Sequence, residues 1–120
     1  MTKQLPPYLL IRYFNDDAES DLIKLPTREL ALIATEKMKA LAYGNIRGTR
    51  LRNHQGIGDL SNCFKLYFDE SRDISPRFRL VYKYEPNSLQ PEVLVIIAIG
   101  KRENYEVYLI AVLRLQNLFD

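Results

Sequence analysis

The sequence predicts an α+β domain: an N-terminal strand, a helical hairpin, a three-stranded antiparallel meander and a C-terminal helix. Three observations carry this. Val93–Ile99 is apolar without interruption, the pattern of a strand covered on both faces, and it ends in Gly100 and three charged residues. Phe64, Leu66 and Phe68 alternate with Cys63, Lys65 and Tyr67, and Phe78, Leu80, Tyr82 and Tyr84 alternate with Arg77, Arg79, Val81 and Lys83, the period of half-buried strands. Between residues 15 and 44, apolar residues recur at helical spacing between cap residues. The 120 residues are read as one domain, 1–120.

The elements follow in order. Tyr8–Phe14 is rich in aromatic and branched residues and reads as a strand. Asn15 or Asp16 caps a short helix whose first turns hold Asp16, Asp17, Glu19 and Asp21, where carboxylates suit the positive helix end. Pro26 ends it. Thr27 caps a second helix with Leu30, Ile33, Ala34, Met38 and Leu41 on one face, and Gly44 is placed for a left-handed stop. Residues 45–59 contain Gly48, Gly56 and Gly58 and read as loop, with a short strand around Leu51. Charged or proline-containing turns at 69–76 and 85–91 separate the meander strands. The last helix is expected over about 104–119, with Val107, Ala111 and Leu115 inward, or Tyr108, Val112 and Phe119.

Composition narrows the function classes. Hydrophobic residues make up 47% and charged residues 27%, enough apolar surface for one core. No apolar run reaches the roughly 18 residues of a membrane span, and the first seven residues contain no long apolar stretch, so a cytoplasmic protein is expected. One cysteine excludes an internal disulfide, and one histidine argues against a zinc site. No cofactor or metal is expected. The net charge of +2 is unevenly spread: Arg47, Arg50 and Arg52 face only Asp59 between residues 45 and 60. Such a segment is a phosphate-binding loop or a solvated basic one.

The handover from buried strand to helix, Ile99-Gly100-Lys101-Arg102-Glu103-Asn104-Tyr105-Glu106-Val107-Tyr108, suggests a site for an anion attached to a planar group. On pattern alone the same residues have plainer readings. Lys65 and Arg79 suit the solvent face of a half-exposed sheet, Arg102 a surface pair with Glu103 or Glu106, and Tyr108 the core side of the last helix. His54 beside Arg50 and Arg52 is either a general acid or an exposed loop residue. Cys63 reads as small and buried or cleft-side.

Asn62-Cys63-Phe64-Lys65-Leu66, Phe78-Arg79-Leu80-Val81-Tyr82 and Gly100-Lys101-Arg102-Glu103 with Glu106-Val107-Tyr108 resemble the RelE/ParE superfamily of type II toxin–antitoxin toxins. The element order fits that family's fold over nearly the whole chain. The nearer branch is the RelE-type ribonuclease, which cuts mRNA, typically on the ribosome, inhibiting translation and arresting growth. The ParE branch poisons DNA gyrase on the same fold. The resemblance implies catalytic roles for Lys65, Arg79, Arg102 and Tyr108. RNA-binding roles are expected for Arg50, Arg52, His54, Lys101 and Tyr67. Tyr67 stands where the best-known members carry a second lysine. The implied partners are a cognate antitoxin, mRNA and the ribosome, with operator DNA reached only through the antitoxin and no membrane.

The implied chemistry is coherent. An RNA 2′-hydroxyl attacks the adjacent phosphate in line, so the enzyme must accept one proton, donate another to the leaving 5′-oxygen, and stabilise negative charge on the phosphoryl group. Paired arginines suit the last task. A lysine among arginines suits proton transfer, because like charge favours its neutral form. The tyrosine of Glu-Val-Tyr would stack on a base or donate a proton. An alternative on the same fold is a gyrase poison, or a catalytically impaired relative that acts by binding.

Overall fold

A computed structural model describes residues 8–52 and 58–116. Its strands are β1 (Leu10–Tyr13), β2 (Thr49–Arg50), β3 (Phe64–Phe68), β4 (Phe78–Glu85) and β5 (Val93–Lys101), and its helices α1 (Asp16–Ile23), α2 (Arg28–Tyr43) and α3 (Glu106–Gln116). The sheet order is β1-β5-β4-β3-β2. β3, β4 and β5 form the expected antiparallel meander, and β1 adds to β5 in parallel. β5 is therefore flanked on both edges and covered on both faces, which is why Val93–Ile99 has no polar residue.

Local chemistry sets the helix ends. Asn15 accepts the Ala18 amide at 2.8 Å and Thr27 the Leu30 amide at 3.1 Å. Gly44 ends α2 at φ 78°, in the left-handed region that favours glycine. Gly48 answers a different need: its amide donates to the Tyr82 hydroxyl at 2.8 Å, and an added Cβ would lie 2.2 Å from the Lys65 carbonyl oxygen. The short strand falls just before Leu51, whose own amide donates to the Cys63 carbonyl.

Two cores sandwich the sheet. α2 packs Leu30, Ala34, Met38 and Leu41 on Phe64, Phe68, Phe78, Leu80, Tyr82, Leu94, Ile96 and Ile99. On the other face α3 packs Val107, Tyr108, Ala111 and Val112 on Cys63, Val81, Ile97 and Ala98. Both inward sets expected for the last helix thus contribute to this core, with Leu115 only partly buried at its margin, because neighbouring positions share one broad apolar stripe. Phe119 lies outside the described residues.

β5 meets both cores through a bulge. Val81 pairs with Ala98 and Tyr82 with Ile96, leaving Ile97 as the extra residue. One inserted residue reverses the side-chain alternation, so Ile96 and Ile99 share a face. β1 ends opposite Ile96, and a buried ion pair takes over from there. Asp21 of α1 accepts the Ile99 amide at 3.0 Å, Arg114 of α3 donates to the Ile97 carbonyl at 2.9 Å, and the two side chains bridge in bidentate fashion at 2.6 and 2.9 Å.

α3 starts later than its periodicity predicts. A 3-10 turn, Glu103–Tyr105, precedes it, with Asn104 and Tyr105 at φ 54° and 58°. Two left-handed residues cannot continue into a right-handed helix, so α3 begins at Glu106. Among the described residues no helix is long and apolar enough to cross a membrane.

Candidate functional site

Strand register assembles the site. Tyr67 pairs with Arg79 across β3 and β4, Lys65 with Val81, and Arg79 with Gly100 across β4 and β5. Phe64, Leu66 and Phe68 turn towards α2, so Lys65 and Tyr67 turn to the opposite face with Arg79. α3 covers part of that face. A Cβ on Gly100 would lie 3.6 Å from the Val107 side chain, so the first turn of α3 sits over the register partner of Arg79. Tyr67 stays 46% exposed beyond it.

Tyr67 joins two cations. The Arg79 guanidinium carbon lies 3.9 Å from the centre of its ring, and Lys65 Nζ lies 5.4 Å away. Arg79 Nη1 donates to the carbonyls of Pro76 and Phe78 at 2.8 and 3.0 Å. Its Nε is buried and has no partner among the described residues. An arginine held this way is fixed in plane while part of its donor capacity remains unspent.

Arg102 stands one step along the same ladder. Its amide donates to the Arg77 carbonyl at 2.9 Å, extending the β4–β5 pairing beyond Lys101, which sets it diagonal to Arg79. Diagonal neighbours on a sheet lie about 7–8 Å apart. The exposed Arg102 guanidinium lies 5.1 Å from the centre of the Tyr105 ring, itself 46% exposed. Among the described residues it forms no ion pair with Glu103 or Glu106.

The neighbouring Arg77 is spent. Asp69 binds its Nε at 2.8 Å and its Nη2 at 2.9 Å, and also accepts the amides of Arg77 and Glu70. The Arg77 guanidinium holds the Asp69 carboxyl well below the usual carboxylate range. No carboxylate lies within ion-pair distance of Lys65, Arg79 or Arg102 among the described residues. This end of the sheet therefore offers three uncompensated cations and two aromatic rings, a set suited to a phosphate with a base attached.

The other sequence-predicted residues lie elsewhere. Tyr108 is 7% exposed within the α3-side core. Lys101 pairs with Phe78 and so faces the hairpin side. Arg50 pairs with Phe64, and its guanidinium lies 5.9 Å from that ring, also on the hairpin side. Arg52 is exposed at the margin of the described residues, and His54 lies outside them. Cys63 is buried, and burial pushes its thiol up to about 11. Tyr105 is the aromatic that the pattern alone does not single out; its signal is a tyrosine set among polar Asn104 and Glu106. Among the described residues no three His, Cys, Asp or Glu side chains gather as metal ligands.

No protein-family model matches the chain, and no curated protein matches it. Among solved structures, the chain is similar to an arginine-to-alanine double mutant of the E. coli toxin RelE in the free state. The TM-score is 0.61 at 22% identity, over 90% of this chain and 98% of that one. The fold is RelE-like.

Proposed function

We propose that this chain is the toxin of a type II toxin–antitoxin module and acts as a metal-independent endoribonuclease on mRNA. The observation that carries this reading is the Lys65–Tyr67–Arg79 cluster, with Arg102 on the next step of the ladder and Tyr105 beside it in the following turn. A RelE-like fold supports it.

In this mechanism Arg79 and Arg102 grip the non-bridging oxygens of the scissile phosphate and stabilise their charge as it grows. The 2′-oxygen forms a bond to phosphorus as the bond to the 5′-oxygen breaks. Lys65 exchanges protons with the reacting oxygens: the 2′-hydroxyl gives one up and the departing 5′-oxygen receives one. The products are a 2′,3′-cyclic phosphate and a 5′-hydroxyl. Tyr105, exposed beside Arg102, stacks on a neighbouring base, a role that buried Tyr108 is poorly placed to take. Tyr108 supports the site from beneath. The protein works in the cytoplasm, on translating ribosomes, and a cognate antitoxin silences it by covering the cationic face.

Purified protein added to a translating extract should truncate a reporter mRNA. Intact message together with gyrase-linked DNA breaks would overturn the ribonuclease reading in favour of a gyrase poison.

A further inference from the structure

The hairpin face, opposite the cationic cluster, carries a second concave site. A cavity of about 320 Å³ opens between the end of α2, the residues leading into β1, and the end of β4. That size lies at the small end of the range for ligand pockets, about 300–1,000 Å³. Tyr8, Tyr43 and Tyr84 line it, with Leu41 and Ile46 supplying apolar wall and Arg47 at its rim.

The polar groups of this cavity are unevenly spent. A helix C-terminus ordinarily presents free carbonyls and repels anions. Here three carbonyls of the last turn of α2 are taken: Ala40 by the Asn45 amide, Leu41 by that of Gly44, and Ala42 by that of Leu9. Arg47 forms no ion pair or hydrogen bond among the described residues. Its guanidinium lies 5.7 Å from the ring centres of both Tyr84 and Phe64, which orients it without neutralising it. The Tyr8 and Tyr43 rings lie 5.2 Å apart, tilted by 50°, and both are about half exposed. Neither hydroxyl has a partner among the described residues.

We propose that this cavity binds a planar ring carrying an anionic group, of the size of a nucleoside monophosphate. The ring packs against the tyrosines, the phosphate meets Arg47, and the free hydroxyls meet the ring's polar edge. The site is independent of the ribonuclease reading, since it shares no residue with the cationic cluster.

The test is titration of the full chain with AMP and UMP, and separately with inorganic phosphate and benzoate, followed by amide chemical shifts. Nucleotide should shift the amides of 41–47, and Arg47→Ala should weaken binding at least tenfold. Arg79→Ala, on the other face, should leave these shifts unchanged. Tyr43→Ala, at an exposed site, provides a second arm and should weaken the nucleotide but not inorganic phosphate. The proposal is overturned if no amide near Arg47 moves at millimolar nucleotide. It is equally overturned if Arg79→Ala rather than Arg47→Ala abolishes the shifts, if inorganic phosphate binds as well as nucleotide, or if benzoate binds more tightly.

Discussion

The Arg79 guanidinium lies over the Tyr67 ring, its central carbon 3.9 Å from the ring centre. The resemblance to RelE-type enzymes implies a second lysine at this position; Tyr67 offers Arg79 a shelf there instead of a further positive charge. An arginine stacked on an aromatic gains about 0.5–2 kcal/mol and loses freedom that phosphate binding would otherwise have to remove. Tyr67→Phe keeps the shelf and should retain most RNA cleavage. Tyr67→Ala should lower kcat/KM by about 2- to 30-fold, the same energy expressed as a rate. Steady-state cleavage of a defined RNA by the two variants checks this; equal loss in both would assign the role to the hydroxyl instead.

The turn between β3 and β4 depends on Asp69. Because Arg77 depresses its carboxyl, the carboxylate contributes stability that is complete above the unfolded value, 3.8, and is lost as pH falls below it. Asp69→Asn removes that contribution. The variant should be less stable at pH 7, with a smaller further decline between pH 5 and pH 2. Denaturant unfolding of both proteins across that range measures it.

The Asp21–Arg114 pair should be costly to break on one side only. Both side chains are largely buried and both cap the bulged backbone of β5. Asp21→Ala leaves Arg114 buried without its counter-charge, which costs about 3–5 kcal/mol. Thermal unfolding of Asp21→Ala and of Asp21→Ala with Arg114→Met should show the double variant recovering part of that loss.

Cys63 should be inert in the folded protein. Burial favours the neutral thiol, so at pH 8 a thiol reagent should modify it only on unfolding. The sign of the linkage is fixed by the raised value: the folded state holds the proton more tightly, so stability is complete below about 9 and declines as pH rises towards about 11. Labelling of native and denatured protein, read by mass spectrometry, distinguishes the two states. Equal rates would contradict a buried thiol.

The parts of the fold written in neighbouring residues were legible in the sequence. Asn15, Thr27 and Gly44 cap helices through bonds that span at most five residues, and the alternation in β3 and β4 reports their faces directly. The parallel pairing of β1 with β5 joins residues about 80 positions apart and leaves no local trace. The bulge at Ile97 is silent because every residue around it is apolar. The candidate site divides in the same way. The alternation puts Lys65, Tyr67 and Arg79 on one face, but only the register stacks Arg79 on Tyr67. Arg50 and Lys101 share the basic character of their neighbours and fall on the other face, because each pairs across the sheet with a phenylalanine of the hairpin-side core. Tyr108 is buried, as one of the two inward sets expected for the last helix has it, and Tyr105 stays outside that helix because the left-handed turn at Asn104 delays its start.

The chemistry of the RNA ends, measured for the wild type and for Arg79→Ala, tests most sharply whether the Arg79 site cleaves RNA. Wild-type cleavage should leave fragments ending in a 2′,3′-cyclic phosphate and a 5′-hydroxyl, and Arg79→Ala should remain folded with cleavage reduced roughly 10²–10³-fold. Growth arrest by the wild type without RNA cleavage, or cleavage that survives Arg79→Ala undiminished, would contradict it.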